Sequence, residues 1–169
     1  MKHLVPLLLS ILILSSAYAA PKATEKRIAE VARRGVHVMP FDLDLSTHVF
    51  SKTAKGGVQD VIAKNPNNPL QIKLIREHLT KISRDFRQGD FSDPAKIHGD
   101  NMPGLKKLRK ANQNQLKIVY KELPMGASIK YSSDDPALIS AIHQWFDAQL
   151  NDHARHATSG HTNHKMHHQ

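Results

Sequence analysis

A chain of 169 residues with no cysteine can form no disulfide and offers no thiolate for metal binding or catalysis. Any ion must then be held by imidazole, carboxylate or thioether. Lys and Arg number 24 against 15 Asp and Glu, but the cations are scattered apart from KKLRK at 106–110. No basic run is interleaved with aromatics, so nucleic acid is not the expected partner.

Lys2 and His3 precede an apolar run from Leu4 to Leu14, followed by SSAYA. This is the charged start, short apolar centre and small-residue cleavage motif of a secretory signal peptide, with Ala17-Tyr18-Ala19 as the cleavage signal. The run is shorter than the ~20 apolar residues a membrane span requires, and nothing downstream is more hydrophobic. The expectation is therefore export, to the periplasm, with no membrane-spanning segment. Residues 1–19 form the signal peptide, 20–157 a single domain, and 158–169 a flexible histidine-rich tail.

Residues 24–34 read as a short helix, with Thr24 as its cap and Gly35 as its stop. VHVMPFDLDL follows as an extended piece, because Pro40 bars helix and Phe41, Leu43 and Leu45 alternate with acids. Two β-leaning runs, THVFSKT and VQDVIAK, flank Ala54-Lys55-Gly56-Gly57, which reads as a hairpin. Asn68 and Pro69 then open a helix that buries Ile75, Leu79, Ile82 and Phe86 and ends before Gly89. GDFSDPAKIHGDNMPG is a loop with one helical turn near Pro94, where Asp93 suits an N-cap and Gly99 a stop. A basic helix, LKKLRKA, leads to a second hairpin through Pro124-Met125-Gly126. A last helix opens at Asp135-Pro136 and runs through the HARH stretch. The fold class is α+β: an antiparallel sheet of about four strands, made of two hairpins, with both long helices on one face. The order hairpin, proline-capped helix occurs twice, as a repeated ββα unit would.

Histidine carries the chemistry. His78 and His143 border the apolar stripes of the two long helices, so a seam between those helices could receive both, with Asp147 orienting His143. Such a seam suits a metal ion, a heme or another small ligand. In the 90–104 loop, His98 and Met102 pair an imidazole with a thioether, as copper favours. His37 and Met39 stand two apart. His48 opens a strand whose polar positions are expected to face solvent. His153 and His156 are spaced i,i+3 on the last helix, and His161, His164, His167 and His168 follow with Met166. Imidazoles this dense bind copper, zinc or nickel by composition alone. No G-x-S-x-G, H-E-x-x-H, P-loop or dinucleotide motif is present, so an enzyme is not indicated.

Taken together, MPFDLDLSTHVF, GGVQDVIAK, LIREHL, GDFSDPAKIHGDNMPGL and AIHQWFDAQLNDHARHA resemble a family of short exported proteobacterial proteins, over about residues 36–157. The resemblance implies a bacterial periplasmic setting and carries no biochemical role. Some members bear the label aspartate carbamoyltransferase. That enzyme is a larger two-domain protein whose S-T-R-T-R loop holds carbamoyl phosphate, and no such run occurs here. The functional expectation is a periplasmic, copper-type metal-binding protein using His and Met ligands. The alternatives are a module that meets anionic envelope lipid or polysaccharide through Lys106, Lys107, Arg109 and Lys110, or a heme or small-ligand binder.

Overall fold

The computed structural model describes residues 22–112 and 114–160. Its first helix, α1 (Glu25–Gly35), begins where the Thr24 side chain accepts a hydrogen bond from the Arg27 amide, the cap its sequence calls for. β1 (Ser46–Thr53) and β2 (Gly56–Ala63) form the first hairpin. α2 (Pro69–Arg87) is capped by Asn68 and α5 (Pro136–His153) by Asp135, each with proline in its first turn. Between them come α3 (Ser92–His98), α4 (Leu105–Leu108) and the second hairpin, β3 (Lys117–Leu123) and β4 (Gly126–Ser132).

The α+β class is as read from the sequence. Among the described residues, however, the sheet has five strands in the order β3-β4-β2-β1-β5 and is mixed rather than purely antiparallel. The additional strand, β5 (Ala157–Ser159), pairs parallel with β1. Thr158 and Ser159 therefore belong to the sheet and not to the tail. The last helix also stops earlier than expected. Ala154 adopts φ 42°, a left-handed step that ends α5 at His153 and starts a 3₁₀ turn over Ala154–His156. VHVMPFDLDL is not a strand either. Gly35, Pro40 and successive turn hydrogen bonds coil it, while Phe41 and Leu43 still enter the core.

The two ββα units interlock. β2 and β4 pair at the centre of the sheet, α2 packs mainly over β3 and β4, and α5 over β1 and β2. Each helix thus covers the other unit's hairpin. Arg76 on α2 donates to the carbonyls of Leu123 and Gly126 at the β3–β4 turn. His143 sits the same distance into α5, and its Nε2 lies 3.0 and 2.9 Å from the carbonyls of Thr53 and Gly56 at the β1–β2 turn. Tyr131 of β4 touches Phe86 of α2 as well as Trp145 and Phe146 of α5, which places both long helices on one face of the sheet. The core lies between that face and the helices, so anything buried in their seam is far from water.

Candidate functional site

Strand alternation puts His48 on the same side of β1 as Phe50, and both are buried. His78 lies in the buried stripe of α2 beside Leu79. His98 is the last residue of α3, which Gly99 terminates at φ 88°. His153 is the last residue of α5. These imidazoles come from four different elements and line one cavity of about 40 Å³, together with Met39, Gln59, Trp145 and Gln149. That volume holds a few water-sized guests.

The rings contact one another. His48 and His153 stack with centroids 5.1 Å apart and planes 6° from parallel. His98 meets His153 edge-on at 5.0 Å. Phe41 packs against two of them, 5.6 Å from His78 and 6.0 Å from His48. His98 Nδ1 lies 2.8 Å from Asp152 Oδ2. Arg27 of α1 grips both Asp152 oxygens, at 3.1 and 2.6 Å, and also donates to the His98 carbonyl at 2.7 Å.

The electrostatics keep these rings neutral. Burial pushes His48 down to about 3, with His78 adding to the effect. Burial likewise takes His78 down to about 4 and His153 well below the usual imidazole range. His98 is lowered by burial, and Asp152 opposes only part of this. Burial acts to raise Asp152, but hydrogen bonds from His98 and Arg27 hold its carboxyl below the ordinary range. With Asp152 ionised and His98 neutral, His98 donates through Nδ1–H and keeps its lone pair on Nε2. Around the cluster, His48 Nδ1, Trp145 Nε1 and Gln149 Oε1 are buried with no hydrogen-bond partner in the protein. Buried polar atoms of this kind are normally satisfied, so three together mark a place built for something other than packing.

The seam between α2 and α5 thus exists and receives His78, but His143 is not part of it. Its Nε2 is occupied at the β1–β2 turn, and Asp147 pairs with Lys52 at 2.5 Å instead of orienting His143. Met102 is buried in the wall of an outer groove that His98 and Asp152 also line, but it is not among the residues lining the cavity of the four imidazoles. His153 and His156 do not share a helix face, because the helix ends between them, yet both are buried and border one pocket with Leu43 and Asp152. His156 lies 3.6 Å from Asp44. Asp93 does not cap α3 but pairs with Lys81 and Lys96. His37 is exposed. His161, His164, His167 and His168 lie outside the described residues. Sequence reasoning missed the inward orientation of His48, the entry of Met39 into the cavity, and the Arg27–Asp152 pair. The period-two pattern His48, Phe50 was the available signal for the first.

As the rings stand, no three His, Asp or Glu side chains among the described residues converge on one ion position. Coordination by three such side chains therefore requires at least one ring to turn. No family model, curated protein or solved structure matches this chain.

Proposed function

We propose that this protein is a periplasmic transition-metal binder, copper-type, that takes one ion into the histidine-lined cavity. The observation that carries the reading is the gathering of four imidazoles, kept neutral by burial, around one cavity. Neutral imidazole is the metal-ligating form. The Asp152–His98 contact supplies the carboxylate support that metal-bound histidines usually have, since it fixes the tautomer and aims Nε2. A heme is a poorer occupant, because ligand pockets of even drug size run from roughly 300 Å³ upward. The tail histidines would then serve as capture ligands.

The test is titration of the full chain with Cu(I), Cu(II), Zn(II) and Ni(II) in a background where the tail cannot bind, carrying His161→Ala, His164→Ala, His167→Ala and His168→Ala. Saturable one-to-one binding, lost in His78→Ala and His98→Ala but kept in His143→Ala, supports the reading. Binding that vanishes with the tail substitutions removes it.

A second reading is favoured by the surface of α4. Leu105 and Leu108 anchor it in the core while Lys106, Lys107, Arg109 and Lys110 stay exposed. Only Arg109 has an acidic partner here among the described residues, Asp100 at 2.6 Å. Such a face suits anionic lipid or polysaccharide. Salt-sensitive binding to anionic vesicles that disappears when the four cations are neutralised would favour it over the metal reading.

A further inference from the structure

We propose that the ion held in the cavity is cuprous, and that the Met39 thioether, not Met102, is the sulfur donor beside the imidazoles. The inference rests on the metal-binding reading and names the metal it selects. Met39 is buried and lines the same cavity as His48, His78, His98 and His153. Its place is built into the backbone. The Met39 amide donates to the Gly35 carbonyl at 2.8 Å, and the thioether methyl packs so closely on Gly35 that a Cβ there would stand 2.8 Å from it. Glycine at 35 therefore makes the room in which the sulfur side chain reaches inward. Met102, which the sequence offered as the partner of His98, shares the outer groove with His98 and Asp152 but does not line the cavity where the four imidazoles meet.

The donor set decides between metals. A thioether is a soft, neutral ligand that favours Cu(I), whereas Zn(II) and Ni(II) gain little from it. The lining imidazoles are neutral too, so the donor set adds no negative charge to offset a dication in the cavity. A monovalent ion costs less to bury than a divalent one. Asp93 also borders the space, but Lys81 and Lys96 already neutralise it, at 2.8 and 2.9 Å. Cu(I) further accepts low coordination numbers. A pair of imidazoles with one thioether is a set it accepts.

The experiment measures Cu(I) affinity by anaerobic competition with bicinchoninate, and Zn(II) affinity by a chromophoric chelator. It uses the full chain with the tail substitutions above plus Met166→Leu. Met39→Leu should weaken Cu(I) by about tenfold or more and leave Zn(II) unchanged. Met102→Leu should leave both unchanged. X-ray absorption of the Cu(I)-loaded chain should show a sulfur neighbour that Met39→Leu abolishes, which also covers the case where the variant is less stable. Retention of full Cu(I) affinity by Met39→Leu, or an equal loss for both metals, overturns the assignment while leaving a metal site in place. If the unsubstituted cavity takes up neither ion, the metal-binding reading itself fails.

Discussion

His48 on β1 and His153 at the end of α5 lie face to face in the protein interior, 5.1 Å apart, with no carboxylate among the causes that set the pKa of either ring. Both must stay uncharged for the fold to persist. An unfolded histidine titrates near 6.5, while His48 and His78 in the fold are held to about 3 and about 4. The unfolded chain therefore binds more protons as pH falls through that interval. Stability is full above about pH 6.5 and declines below it, by about 1.4 kcal/mol per pH unit for each such ring. Acid unfolding followed by circular dichroism should begin near pH 6, before ordinary surface carboxylates titrate. A melting temperature that stays flat from pH 7 to 4.5 would contradict the neutral cluster.

Replacing His48 separates stability from function. Its neighbours are Phe41, Phe50 and His153, and its Nδ1 is buried without a partner. His48→Phe keeps a flat ring and removes a polar atom that burial penalises, so it should be neutral or stabilising by about 1 kcal/mol at pH 7. It should also make the acid transition shallower by about one proton. The same substitution removes a proposed ligand and should weaken metal uptake. Gain of stability with loss of binding is the signature of a functional site; loss of both would mark His48 as a packing residue only.

Asp152 joins α1, α3 and α5 through Arg27 and His98. In Asp152→Asn only one of the two positions still accepts, so the NH2 group stands against a donor of Arg27 or His98, and the charge that held both is lost. The proposed outcome is a metal affinity lower by about ten- to a hundredfold, the usual range for losing such a support. A melt should show a loss of about 1–3 kcal/mol from the broken charged hydrogen bonds. Unchanged metal affinity in a folded Asp152→Asn variant would show that His98 is not a ligand.

Two glycines with nearly the same backbone angle predict different costs. Gly89 and Gly104 have φ of 79° and 77°. A Cβ on Gly89 meets nothing within 4 Å, whereas one on Gly104 would stand 2.1 Å from the Ala141 carbonyl oxygen of α5. Gly89→Ala should cost about 1–2 kcal/mol, the left-handed conformation alone. Gly104→Ala must also push α4 off α5 and should cost upward of about 3 kcal/mol. Equal losses in denaturant titrations would mean that the α4–α5 contact is not tight.

Local chemistry made the hairpins and capped helices legible. Gly56 turns the first hairpin at φ 143°, and Asn68-Pro69 and Asp135-Pro136 open the long helices as their side chains dictate. Pairing that runs only through main-chain groups leaves no such trace, which is why β5 went unread in Ala157-Thr158-Ser159. The site was legible in part. His78, His98 and His153 were candidates by residue type, but their meeting depends on how α3 and α5 end. Ala154 at φ 42° decides that His153 enters the cavity of the four imidazoles, while His156, also buried, does not line it. The period of α5 alone put both on one face.

Access to the cavity should depend on α3, which supplies Pro94, Ile97 and His98 to its wall. This short helix lies between Gly89 and Gly99, both at positive φ and both with open space around them. Lys81 of α2 ties it down, its Nζ 2.8 Å from both Asp93 and Asp85. The lysine is half exposed, so salt screens the tie, and a surface pair of this kind is worth about 0.2–1 kcal/mol. Lys81→Met should therefore speed metal entry by about two- to fivefold. The readout is stopped-flow emission of Trp145, the one tryptophan of the chain, which borders the cavity. Added salt should accelerate the unsubstituted protein and leave the variant unmoved. Equal entry rates in the two proteins at low salt would place the route elsewhere, along the His78 side of α2.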